Sequence, residues 1–176
     1  MKVKIIAIFF IGLLAACEEP IEDYAYNWSK NVKAQIIEES QIESDRVEVD
    51  STNENWQTIT YWKRERKLRE YIYRPIDGDT LVSIFYSKSQ EFDLVRELCP
   101  GAERSFEGIR YKGEHLGLAE FRYCNGDLKE SGFRMDGDVG IWKEYDEVGN
   151  LIRSKDFGNL ERLQRLKGIK YKKASR

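Results

Sequence analysis

Glycine recurs in this chain at a spacing that leaves few folds open. Gly108, Gly113, Gly117 and Gly126, followed by Leu128 and Ser131, are echoed by Gly132, Gly137, Gly140 and Gly149, followed by Leu151 and Ser154. Four of these intervals (Gly117 to Gly140, Gly126 to Gly149, Leu128 to Leu151, Ser131 to Ser154) are 23 residues, and two (Gly108 to Gly132, Gly113 to Gly137) are 24. Gly78 to Gly101 at 23 and Gly101 to Gly126 at 25 point to weaker copies upstream. A unit of this length holds two strands of roughly 7–8 residues and two turns, which is one β-hairpin. Glycine marks the turns, where the backbone needs positive φ. One hairpin is marginal alone, so copies must stack side by side and share an apolar face. The spacing therefore predicts a mainly β protein, an antiparallel sheet of stacked hairpins with two exposed edges.

The strand texture begins at Trp56. Thr58 to Trp62 and Tyr71 to Tyr73 are β-branched and aromatic, as strands prefer. Asp77-Gly78 reads as a hairpin turn, and Leu81 to Tyr86 as the return strand. We take 56–158 as the repeat domain. Residues 17–54 carry 11 acidic and 3 basic side chains and read as an acidic stalk, 17–55, leading into it. Within the stalk Trp28, Val32 and Ile36 recur every four residues, which predicts a short helix over about 28–40. That helix either stands in the stalk or packs on the sheet's end, and a polar linker follows to Asn55. Beyond the sheet, leucines at steps of three between Asn159 and Gly168 predict a second short helix, followed by a basic tail to residue 176.

The N-terminus supplies a compartment. Lys2 and Lys4 lead into residues 5–16 (IIAIFFIGLLAA), 12 residues without a polar side chain. A bilayer core needs roughly 20 helical residues, so this run suits a signal peptide over 1–16 and not a span. It ends Leu14-Ala15-Ala16-Cys17, which resembles the bacterial lipobox. The resemblance implies an acylated Cys17, palmitate among its chains, as a stable membrane anchor. Glu18 and Glu19 resemble the export signal of surface lipoproteins in Bacteroidota-like bacteria, while in enterobacteria an acidic residue there suggests inner-membrane retention. We expect the outer membrane, with the periplasmic and surface leaflets both open.

The residues Gly140-Ile141-Trp142-Lys143-Glu144-Tyr145 through Gly149-Asn150-Leu151 resemble the MORN-repeat variant, whose unit reads roughly G-x-W-x-x-Y-x-x-x-G-x-L. The resemblance is good over 132–151, fair over 108–131 and thin over 71–101. In the earlier unit Ala119 replaces the Trp142 position and Arg122 the Tyr145 position. Bacterial proteins with this repeat are often labelled YwqK-type antitoxins, which implies neutralisation of a toxin. Trp142 and Tyr145, with Phe133, are a candidate binding face, although core packing also uses aromatics at repeat positions.

Catalytic chemistry is poorly represented. The 29 Lys+Arg against 31 Asp+Glu give a net charge of −2, without the basic surplus of a dedicated nucleic-acid binder. A single histidine, His115, excludes sites that need two, and it reads as a solvated turn residue. HExxH, CxxC, GxSxG and phosphate-loop patterns are absent. Asp77-Gly78-Asp79 and Asp136-Gly137-Asp138 read as turns, since neither continues into a calcium loop. We expect no metal, no cofactor and no enzyme activity. With Cys17 acylated, Cys99 and Cys124 remain as a pair in an oxidising compartment, which favours a disulfide. Equivalent positions one hairpin apart are about 9.5 Å apart, which opposes it. The functional expectation is a membrane-anchored envelope lipoprotein acting as a non-catalytic protein-binding or scaffold module. Binding of a glycan or small ligand on the exposed sheet face is the alternative.

Overall fold

The structure, a computed structural model, describes residues 19–53, 55–101 and 104–171. The signal segment, Cys17 and the end of the basic tail lie outside the described residues. One helix, α1 (Ile21–Ser40), precedes ten strands: β1 (Arg46–Asn53), β2 (Trp56–Lys63), β3 (Arg66–Tyr73), β4 (Thr80–Tyr86), β5 (Phe92–Leu98), β6 (Arg104–Tyr111), β7 (Glu114–Arg122), β8 (Leu128–Met135), β9 (Asp138–Tyr145) and β10 (Leu151–Asp156). A 3-10 helix, Leu160–Gly168, follows. The strands form one antiparallel sheet in strict chain order, a meander of hairpins. The mainly β architecture expected from the repeat is therefore present, with a helix at each end.

The glycine repeat maps onto this meander strand by strand. Gly78, Gly101, Gly126 and Gly149 sit in the loops after β3, β5, β7 and β9, at one end of the sheet, with φ of +74°, +90°, +91° and +85°. At the other end Lys112-Gly113 and Asp136-Gly137 both have positive φ at each residue, as tight hairpin turns require. Gly117 and Gly140 lie at irregularities within β7 and β9, also with positive φ.

Alternation along the strands divides the sheet into two faces. One face is covered. Val32 and Ile36 of α1 pack on Phe85, Phe92, Leu94 and Ile109. Ala25 packs with Leu116, Met135 and Val139, where Leu163 and Leu166 of the 3-10 helix complete the cluster. The leucine step of three suits a 3-10 helix, which brings every third residue to one side. The other face carries no helix among the described residues. Its own aromatics close it: Phe106 and Trp142, with Val95 and Ala119, form a buried cluster flanked by Phe121 and Phe157.

Two expectations about the N-terminal part change. The helix begins at Ile21, directly after Pro20, rather than near residue 28. Proline fits the start of a helix because it has no N–H to leave unpaired, and Glu22 and Asp23 complement the dipole there. It lies across the covered face and is not a stalk. Residues 46–53, expected as linker, are the edge strand β1. Val47 and Val49 alternate with Glu48 and Asp50, but as an edge strand it leaves the valines 51% and 61% exposed. The acidic composition hid a period of two.

Cys99 and Cys124 are bonded, with Cα atoms 5.5 Å apart. The two-strand separation applies inside the ladder. Both cysteines sit just past it, Cys99 after β5 and Cys124 after β7, where the chain is free to lean across the end of β6. Among the described residues, no helix is long and apolar enough to cross a membrane.

Candidate functional site

The open face is the candidate site, because no element among the described residues covers it and because the sheet places charge and aromatics on it in rows. Cross-strand pairing sets Tyr86 opposite Asp93, Asp93 opposite Arg110, and Arg110 opposite His115. Arg134 stands opposite Asp138 further on. The result is a polar belt across the sheet from β3 to β9.

Each charge in the belt has a partner. Glu70 takes Lys67 Nζ at 2.6 Å, Thr60 Oγ1 at 3.1 Å and the Tyr86 hydroxyl. Burial alone would raise the Glu70 carboxyl, but Lys67 and these donors outweigh it and hold its pKa below the ordinary value. Burial and the neighbouring Glu70 push the Tyr86 phenol well up, so it stays protonated and donating. Arg110 Nε reaches Asp93 at 2.6 Å. Burial still keeps Asp93 above its ordinary value despite that contact. Arg134 pairs with Asp138 at 3.4 Å while its guanidinium lies 5.4 Å from the ring centres of both Phe121 and Trp142. Such cation–π contacts contribute about 0.5–1 kcal/mol at exposed sites. Lys67 sits similarly over Trp62 and Tyr86.

His115 is not a turn residue. It lies within β7, half-buried, with its ring edge-on to Phe106 at 5.4 Å. Burial first, then Arg134 and Arg110, lower its pKa, so it is neutral at pH 7. Its buried Nδ1 has no hydrogen-bond partner among the described residues. The tight turn is Lys112-Gly113, and the chain is already in β7 at His115.

The aromatic pair proposed from the repeat is not assembled. Trp142 and Tyr145 are three residues apart on one strand, and an odd separation sends them to opposite faces. Trp142 belongs to the open-face cluster but is only 4% exposed, seated over Gly132 with its Nε1 donating to Phe133 O at 3.2 Å. Tyr145 pairs with Leu151, and its carbonyl accepts the Tyr123 hydroxyl at 2.8 Å. Phe133 packs in the covered core. The two Asp-Gly-Asp turns are held apart as well: Asp77 meets Arg74 at 2.6 Å, while Asp136 binds Arg165 of the 3-10 helix. Among the described residues no group of His, Cys, Asp and Glu is arranged to hold a metal.

Two hollows on the open face are small, about 110 Å³ beside Trp142 and Lys155 and about 230 Å³ beside Phe121 and Lys129. Small-molecule sites usually need about 300–1,000 Å³. Larger concavities lie elsewhere: about 490 Å³ between the His115 strand and the 3-10 helix, and about 560 Å³ along α1. On the covered side, Lys33 fixes α1 electrostatically, 3.1 Å from Glu107 and 3.2 Å from Glu120. Arg96 and Arg104 also reach Glu107, at 2.7 and 2.9 Å. Burial opposes the Glu107 charge, yet Lys33 and Arg96 bring its pKa down to about 2. The polar belt and the Lys33 network were invisible in the sequence, since both are built across strands rather than along them.

No family model matches the chain, and no curated protein matches it. Two similar solved structures are titled as TarM. One is an S. aureus TarM mutant in complex with Fondaparinux, alpha-GlcNAc-glycerol and UDP, at 10% identity and a TM-score of 0.38. The other is at 11% identity and 0.37. Each match covers 81% of this chain but 28% of the other, so the chain spans little more than a quarter of those proteins. A likeness at that level carries no argument about this chain.

Proposed function

We propose that the protein is a membrane-anchored cell-envelope lipoprotein, held by acylated Cys17, whose sheet is a non-catalytic protein-binding module. The observation that carries this reading is the open face: a row of satisfied ion pairs, with largely buried aromatics between them, spread over seven strands, from β3 to β9, with hollows of about 110 and 230 Å³. Such a surface suits a macromolecular partner, whose interface takes roughly 800 Å² from each side and mixes apolar contacts with polar ones. Arginine, a residue type enriched among the anchors of interfaces, contributes partly exposed guanidinium groups here, on Arg110 and Arg134. A toxin acting in the same envelope is the partner class that the hairpin resemblance implies.

The test is cross-linking of intact cells that carry a tagged, lipidated copy, followed by mass spectrometry. One stoichiometric protein is the expected product. It should be lost from the doubly reversed Glu97→Lys, Lys129→Glu variant, whose changes lie on the exposed rim of the open face. Recovery of lipid or polysaccharide alone would overturn the reading.

A further inference from the structure

We infer that copies of this chain associate head to tail through their two sheet edges, β10 of one copy pairing with β1 of the next. The sheet is not closed. β1 and β10 are its outermost strands, and Arg46 to Ser51 and all six residues of β10 are exposed. Each therefore presents a row of backbone N–H and C=O groups to solvent, a template for another strand.

Two features of these edges select the partner. The first is charge. On the open face β1 presents Glu48 and Asp50, and β10 presents Arg153 and Lys155, as their pairing with Thr60 and Thr58, and with Glu144 and Trp142, shows. An antiparallel register that places Asp50 against Arg153 sets Glu48 against Lys155 on the same face, and brings Arg46 beside Phe157. Self-pairing of β10 does the opposite, setting Arg153 against Lys155. Pairing of β1 with itself sets Glu48 against Asp50, or, in a shorter register that brings Arg46 opposite Asp50, sets Glu48 against Glu48. Like charges directly opposite are destabilising and opposite charges stabilising, so β10 rejects its own copy and accepts β1, where both same-face pairs are complementary.

The second feature is topology. Ten strands alternate in direction, so β10 runs antiparallel to β1. A second copy's β1 laid antiparallel to β10 then runs as the first copy's β1 does, and simply continues the meander. Such a contact is heterologous and does not close on itself. It is also small, well under the roughly 1,000 Å² of a stable interface, so association is weak and rises with concentration. Confinement of the chains to a membrane surface would supply that concentration. The association does not depend on which protein binds the open face.

Sedimentation velocity on the full chain in detergent tests it. At an ionic strength of about 0.01 M the average mass should rise with concentration, and at about 1 M, where the Debye length falls from about 30 Å to about 3 Å, the rise should vanish. Glu48→Lys with Asp50→Lys, and Arg153→Glu with Lys155→Glu, should each weaken association roughly tenfold or more. Mixing the two variants in equal amounts should restore it, because each now offers the edge the other needs. Both pairs of changes lie on exposed strands, and unchanged circular dichroism would show that both fold. A wild-type chain that stays monomeric at low salt would overturn the inference. So would variants that associate as well as wild type, or a mixture that stays monomeric.

Discussion

Gly132 lacks a side chain because Trp142 occupies the space. A Cβ built there would lie 2.3–2.4 Å from three indole atoms. Gly132→Ala should therefore destabilise the fold by about 1–3 kcal/mol, the usual cost of overpacking, read as a lower denaturant midpoint. Gly117 is constrained twice, by φ of +75° and by Ser29 Oγ at 2.4 Å from the same hypothetical atom. That hydroxyl donates to Ala25 O at 2.7 Å and accepts the Leu118 N–H at 2.9 Å, tying α1 to β7. Glu107 gives the fold its acid sensitivity. Its pKa falls from 4.5 to about 2 on folding, so its contribution is complete above about pH 5 and is lost as pH drops toward 2. A depression of that size corresponds to roughly 3 kcal/mol at neutral pH. Asp93, raised by burial, works in the other direction and offsets part of the loss as it protonates. Glu107→Gln should flatten the stability profile between pH 2 and 5 and weaken the fold at pH 7 by roughly 3–5 kcal/mol, because Lys33 and Arg96 lose their shared partner. Denaturation measured across that pH range decides both points.

Hairpins were legible because turn glycines and strand residues act over a few neighbouring positions. The spacing of Gly126 and Gly149, and of Gly113 and Gly137, follows directly from strand length plus turn length. β1 was not legible: an edge strand needs only one weakly apolar face, and Val47 and Val49 are diluted by acids. The start of α1 was missed because Ile21 and Ala25 face a core whose other side comes from Leu163 and Met135, more than 100 residues away in sequence. The disulfide was undecidable on spacing, since a ladder distance does not describe loops beyond the ladder. Now that both cysteines are placed, replacing them with serine should cost about 3 kcal/mol, given a sequence separation of 25. Calorimetry of the variant beside the reduced wild type would show the same loss in both. Ile36, fully buried between α1 and the sheet, measures what the helix contributes. Ile36→Ala should cost about 2–5 kcal/mol. A loss under about 1 kcal/mol would mean that α1 is not integral to the core.

For the molecule as a whole, the sheet, the covering helix and the proposed anchor have separable roles. The proposed anchoring rests on the most local signal, the run that ends at Cys17. Cys17→Ser should move the protein from the membrane to the soluble fraction without changing the melting temperature of the sheet, with radiolabelled palmitate incorporation lost in parallel. The open face was the least legible part, because Asp93, Arg110, His115 and Arg134 come together only when four strands align. Whether that face is the working surface is best measured by site-specific photo-cross-linking in living cells. A photoreactive residue would replace Glu97, Lys129 or Glu130 on the open side, or Ala34 on the exposed side of α1, in the lipidated chain. The account predicts one protein adduct of the same mass from the three open-side positions and none from position 34. Adducts from position 34 alone, or none from any position while the chain is folded and membrane-bound, would contradict it.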